Sequence, residues 1–401
     1  MSEALIVTPS IAVAGSGDPA SSPSPTNIYG VRIDMSSSDP TGACVYSGDA
    51  ANFEPLSCNQ TSGAVSYGDW APVIDQIIGC KPCLYKSGAR SVYLNPNNFA
   101  QNASGTAVDI TSGSAGDVMI EFKKCYYRWR ISGNFLYFEI TGQDMSADSS
   151  WSCEAFKRSG GSVQNYMYYG AYEGTNVSSK LRSLSGKTPT ANITIGNART
   201  YATANGSNYQ QEEIAKRMYI IGLIMLVTKS RNAQATIGAG WTGGSAAATT
   251  GTCNTKGMFY GTSSGTVVAK VFGIENFWGS RWKWCDGFVS GASGVLKYKT
   301  YGPYNDAGTN YSSVSGIPTG SGYPTIMTVI GSNGVIVPIS TSGGSNSSYF
   351  PDNWYLVTTA GRVCHVGGCW SNGAGAGPLY CSVDYGASGA NTNIGARLSA
   401  C

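Results

Sequence analysis

Three groupings in this chain have residue types and spacings that can do chemistry. Cys80 and Cys83 bracket Lys81-Pro82 with the spacing of redox pairs and zinc knuckles. A second close Cys/His pair is missing, so a four-ligand zinc site would need Cys44, Cys58 or Cys125 brought in by folding. Buried or free thiols are expected instead, with no metal and no cofactor. Glu275 and Asp286 form the second grouping, a possible carboxylate pair. Nothing near them in sequence supplies a nucleophile, and they are expected to hydrogen-bond loop backbone. The third is Cys364-His365 with Cys369. His365 is the only histidine, so any Ser-His or Cys-His arrangement must use it. In a loop of this composition it is expected to be a contact residue.

The elements that must position these groups follow from composition. Charged residues make up 12% of the 401, about half the usual share, while 53 glycines are roughly double the usual level. With 42% hydrophobic residues and 25 tyrosines this is not a disordered composition. It predicts a β-rich, loop-rich protein with a polar, weakly charged surface. A net charge of +3 without a basic stripe argues against nucleic acid, and nothing points to membrane insertion. The first residues have no basic group before a weak apolar run, so no secretory signal is expected. Residues 1–27 are rich in Ser, Pro, Ala and Gly and predict a flexible N-terminal arm.

From Ile28 to about Ala115, short apolar runs alternate with turns, as in a smaller β-rich domain. Val118 to Arg130 and Phe135 to Ile140 then predict a hairpin about Ser132-Gly133-Asn134. Lys123, Lys124, Arg128 and Arg130 lie among aromatics there, and a solvated strand face is expected because Glu121 and Glu139 interrupt them. One long helix is predicted, capped by Asn208, with Gln211 at the capping-box position and Glu212 and Glu213 in its first turn. Ile214, Met218, Ile221 and Met225 recur at helical spacing. From Met218 to Val227 it is apolar nearly all round, which predicts a core helix too short to span a bilayer. Trp278, Trp282 and Trp284, with Phe277 and Phe288, predict a buried aromatic anchor.

The end of the sequence, Gly361 to Cys401, carries only Arg362, Asp384 and Arg397 as formal charges and few large aliphatics. It cannot bury enough apolar surface to order itself. Its Tyr, Ser, Asn, His and Cys are residues that binding loops favour. A displayed binding surface on a rigid scaffold is predicted.

Asn276-Phe-Trp-Gly-Ser-Arg-Trp-Lys-Trp284 resembles the aromatic core motif of the formylglycine-generating-enzyme type of C-type lectin fold. Gly367-Gly-Cys-Trp370 through Asn393-Ile-Gly-Ala-Arg397 resembles its closing motif. Tyr29-Gly-Val31, Gly116 to Phe122, Leu184 to Pro189, the core helix and Gly273 to Asn276 extend the likeness over most of the chain. Together they resemble phage tail proteins that are the variable proteins of diversity-generating retroelements. That resemblance implies an α+β fold with a C-type-lectin-like display domain at 116–401 and an attachment domain at 28–115. It also implies a variable segment at about 363–397, rewritten by randomising template adenines. Cys369, Ser371, Asn372, Gly375, Tyr380, Ser382, Asp384, Tyr385 and Gly389 are all reachable from an Asn codon by changing adenines alone. Tyr380, Ser382 and Asp384 would share one face of an extended segment.

The implied ligand-binding set is those nine with His365, Leu379, Ser388, Asn391 and Asn393. Trp278, Trp282, Trp284, Trp370, Gly395 and Arg397 match the scaffold pattern, while Ala396 departs from the related enzymes' bulky aromatic. On this resemblance Cys369 and Cys381 are products of sampling, not bonded to each other. The implied function is a non-enzymatic phage tail receptor-binding protein in the virion, made in the bacterial cytoplasm. Its partners would be a host cell-surface protein or glycan, other tail proteins, and further copies in a trimer. A purely structural tail or baseplate protein is one rival. A formylglycine-generating-type oxidase using Cys364 and Cys369 is the other, although the Gly367-Gly-Cys-Trp370 register moves that pair upstream of the catalytic positions.

Overall fold

The computed structural model describes residues 24–401. The arm expected at 1–27 lies outside them apart from its last four residues, where the Pro25 carbonyl accepts from Thr141 Oγ1 at 3.2 Å. The fold is mostly β, with few helices and several sheets.

A four-stranded antiparallel sheet runs in the order Cys44–Gly48, Ile28–Asp34, Phe135–Thr141, Tyr126–Ser132. Alternation places Val31, Phe138 and Trp129 in register on its inner face, with the Phe138 and Trp129 rings 4.6 Å apart. The helix Ile214–Thr228 packs on this face and is buried along its whole length, as predicted. Gly222 allows the close approach, since a Cβ there would meet the Phe138 ring at 2.3 Å.

A seven-stranded sheet runs Tyr209–Gln211, Leu398–Ala400, Tyr166–Gly170, Asp117–Lys123, Lys81–Lys86, Ala89–Asn95, Asn98–Asn102. The boundary expected at 115/116 is therefore crossed by hydrogen-bonded strands in both sheets, at Ile28–Asp34 with Phe135–Thr141 and at Lys81–Lys86 with Asp117–Lys123.

Two local expectations are corrected. Val118 to Arg130 is not one strand: it breaks at Lys124-Cys125, where the Lys124 N–H bonds Asn165, and its halves enter different sheets. The hairpin uses only the second half. The helix does not start at Asn208. Tyr209–Gln211 pairs with the closing strand, and the helix begins at Ile214 with Glu213 as an N-cap that makes no side-chain cap. Glu212 and Glu213 do not stabilise the first turn as dipole partners. They are buried and pair with Arg217 and Lys216.

The third sheet positions the candidate site. Its order is Ser312–Val314, Leu296–Tyr298, Trp282–Ser290, Arg362–Val366, Cys381–Gly386, Trp354–Leu356, Gly320–Gly322. Ile394–Gly395 adds in parallel to Trp282–Ser290. Every residue of Trp282–Ser290 is buried, so both faces of this strand are covered.

Candidate binding face

Register brings Trp284, His365 and Ser382 side by side on three neighbouring strands. The two-residue pleat then sorts the sheet. Cys285, Cys364, Val366, Cys381 and Val383 pack into the main core, while Trp282, Trp284 and the partly buried Tyr380 and Tyr385 join a second cluster on the other side. Opposite Val363 and Cys364 the register slips at Asp384, which leaves that residue as a bulge. The bulge lets Asp384 and Tyr385, consecutive in sequence, both reach the His365 side.

His365 sits in an aromatic box. Its ring centroid is 4.3 Å from Trp282 and 5.1 Å from Tyr385, and Tyr380 meets Trp282 edge-on at 4.3 Å. His365 Nε2 lies 2.9 Å from Asp384 Oδ1, and Ser382 Oγ donates to the same oxygen at 2.8 Å. Burial pushes the Asp384 carboxyl up, but the His365 contact and the Ser382 bond outweigh it and hold the group below its usual range. The serine hydroxyl thus points at the carboxylate and not at the imidazole, whose Nδ1 is buried without a partner among the described residues. No activated Ser-His pair results. Nor do Cys364 and His365 pair, because they project to opposite sides of the sheet.

The loop following this strand is held by scaffold groups that grip its main chain. Gln234 Nε2 donates to the carbonyls of Gly373 and Ala376 at 3.0 and 2.5 Å. Arg217 donates twice to the Pro378 carbonyl, from Nε at 3.1 Å and Nη2 at 2.7 Å, while its Nη1 bonds Glu212 at 2.6 Å. Asp352 Oδ2 accepts from the Leu379 N–H at 2.7 Å. The Asn353 N–H donates to the Gly375 carbonyl, and the Gly373 N–H to Thr242. Glycine is required at 377, since a Cβ there would fall 1.8 Å from Asp352 Oδ1. Burial drives the Asp352 carboxyl up to about 7. None of these grips involves a side chain of the loop. Arg217, Gln234 and Asp352 were missed in the sequence; a buried-looking Arg217 in an apolar helix was the one available signal.

The predicted contact residues divide into three groups by exposure. Ser371 and Ser388 are exposed. Asn372, Tyr380, Asp384, Tyr385, Gly389, Asn391 and Asn393 are half-buried and rim the aromatic box. His365, Cys369, Gly375, Leu379 and Ser382 are buried, which corrects their expected display: His365, Cys369 and Ser382 lie behind the rim, while Leu379 packs into the main core. Asn372 Oδ1 accepts from the Cys369 N–H at 2.7 Å, which tightens that turn, and Asn391 Nδ2 donates to the Tyr385 hydroxyl at 3.0 Å. Cys369 Sγ lies against Ser371 Oγ at 3.4 Å, whereas Cys381 Sγ is 3.3 Å from Cys364 Sγ on the core side. Cys381 is thus a core residue.

Among the scaffold residues, Trp278, Trp282 and Trp284 are buried, and the indoles of Trp278 and Trp284 donate to the carbonyls of Ala239 and Ile193. Gly395 pairs with Lys283. Arg397 donates to the carbonyls of Gly170, Glu275 and Asn276 at 2.7–2.9 Å. Trp370 is only half-buried, with the Arg281 guanidinium 5.4 Å from its ring.

The other candidates separate. Cys80 and Cys83 pack into different apolar clusters, and burial raises both thiols. Glu275 accepts from the N–H groups of Gly251 and Cys253, as expected of a loop-bonding carboxylate. Asp286 instead pairs with Arg199 at 2.6 Å and Gln211 at 2.8 Å. Arg128 and Arg130 of the basic cluster both bond Glu139, while Lys123 is exposed.

No protein-family model and no curated protein matches the chain. Among solved structures it is similar to the U1 and M1 variants of Major Tropism Determinant, at 13% and 12% identity. The alignments cover 80% of this chain and 81% and 82% of theirs, with a TM-score of 0.20 for each.

Proposed function

We propose that this chain is a phage tail receptor-binding protein whose rim around the aromatic box recognises a host cell-surface protein or glycan, without catalysis. Its display part, 116–401, would be a C-type-lectin-like α+β unit that shares two sheets with 28–115 and is carried in the virion by trimers. Attachment to other tail proteins falls to 28–115. The observation that carries this is the loop frame: Gln234, Arg217 and Asp352 hold main-chain atoms of the largely buried stretch 373–379, so the rim side chains on either side of it are not needed to fix the loop. A surface meant to be rewritten needs that separation, and the adenine-reachable residues Ser371, Asn372, Tyr380, Asp384, Tyr385 and Gly389 lie on its rim.

Adsorption of particles to the bacterial cells that the parental particle infects is the test. Tyr380 and Tyr385 are the anchor candidates, since tyrosine buries much area at low entropic cost. Tyr380→Ala with Tyr385→Ala is expected to cost about 2 kcal/mol or more, roughly thirtyfold in affinity. Both rings also pack against tryptophans, so Ser371→Arg with Ser388→Arg, at exposed positions, is the companion variant. It should block adsorption with unchanged melting. Undiminished adsorption in both moves the binding site elsewhere and favours a purely structural role.

A further inference from the structure

We propose that Cys364 and Cys381 are an oxidisable pair that closes to a disulfide and cyclises the loop that carries Ser371, Asn372 and Tyr380. Their sulfurs are 3.3 Å apart across neighbouring strands, 17 residues apart in sequence. They sit diagonally, Cys364 opposite Val383 and Cys381 opposite Val366, with both side chains directed into the core. A disulfide needs about 2.05 Å between sulfurs, so closure asks for a little over 1 Å of approach. Buried cysteine is common as a small hydrophobe, but packing alone does not require two sulfurs at this separation. The span they would close holds Cys369, Ser371, Asn372 and Tyr380, with both ends on the strands that carry His365 and Ser382.

Hydrogen peroxide, small enough to enter by strand breathing, is the oxidant class. One sulfur, deprotonated, attacks the peroxide oxygen; the O–O bond breaks, giving a sulfenic acid and one water. The second sulfur then attacks that sulfur, the S–S bond forms, the S–O bond breaks, and hydroxide leaves with a proton as water. Two thiols and one peroxide become one disulfide and two waters. Burial holds the Cys364 thiol protonated, so closure is slow and the product, once formed, is shielded. The chemistry does not depend on what the face binds.

Peptide mapping of the peroxide-treated full chain, alkylated before unfolding, tests the pair. The expected result is a Cys364–Cys381 cross-link that dithiothreitol reverses, with melting raised by about 5 °C in the oxidised protein. Cys381→Ala should lose both effects. The wild-type map decides alone if that variant does not fold. Cross-linking of Cys364 to Cys285, its partner on the other neighbouring strand, overturns the assignment. So does oxygen addition without a cross-link, or a chain whose thiols all survive treatment.

Discussion

The helix Ile214–Thr228 and the loop Gly367–Tyr380 lie against each other and are ordered by opposite means. The helix is held by its side chains: Met218, Ile221 and Leu223 are at most 1% exposed and fill the core. The loop has little to bury, and its carbonyls and N–H groups are gripped from outside. Arg217 belongs to both regions. It is a residue of the apolar helix, fully buried, whose guanidinium leaves the helix to hold Pro378. A segment poor in apolar area can be as fixed as a core element if its neighbours carry the hydrogen-bonding groups.

The sharpest way to break this contrast is at the residue shared by both. Arg217→Met removes the grip on Pro378 and strands the buried Glu212 carboxylate, and is expected to destabilise the protein by about 3–5 kcal/mol. Denaturant melting measures it, and a neutral result would mean the loop is held by its own contacts. Trp284→Ala opens a cavity in the aromatic cluster at a similar cost of about 3–5 kcal/mol. An unchanged transition there would place the anchor on the surface.

Asp352 gives a smaller effect with a sign. Its folded pKa is raised, so between about 4 and about 7 the folded protein holds a proton that the unfolded chain has lost. Its stabilising share is complete below that window and is lost as pH rises through about 7. Asp352→Asn keeps an acceptor for the Leu379 N–H and should flatten this slope, read as melting on either side of the window. Smallest of all, Ser371→Ala and Ser388→Ala should change stability by less than about 0.5 kcal/mol, as exposed positions do. A larger change at either would show that rim side chains support the fold.

The burial of the tryptophans, the buried helix and the shared face of Tyr380, Ser382 and Asp384 were legible because each follows a local period or an unusual density of aromatics. The single aromatic anchor was not borne out, since Phe277, Trp278 and Phe288 pack in the main core and Trp282 and Trp284 in the second cluster. What failed depended on partners remote in sequence. Glu212 and Glu213 have the signature of a helix start, yet Tyr169 and Tyr304, far off in sequence, bond their carboxylates, and the residues just before them pair with Leu398–Ala400. The burial of Leu379, Gly375 and Cys369 depends on packing from other strands, which loop composition does not encode. The bulge at Asp384, which adds Tyr385 to the rim, needs a register that only the paired strand supplies. Asp352 and Gln234 carry no sequence signal, because a side chain that bonds a distant main chain needs no particular neighbours.

The strand Trp282–Ser290 has one further consequence. Val366 pairs with Lys283 from one side, and Gly395 pairs with the same Lys283 from the other. The excursion between them departs and returns one strand spacing, about 4.8 Å, to either side of a single residue. Its two ends are therefore docked to a common post whatever lies between them. In engineering terms this is a cassette with fixed terminals: residues 367–393 could be exchanged as a block between proteins sharing the post, with Gly377 and the core positions Leu379, Cys381 and Val383 kept and the rim varied.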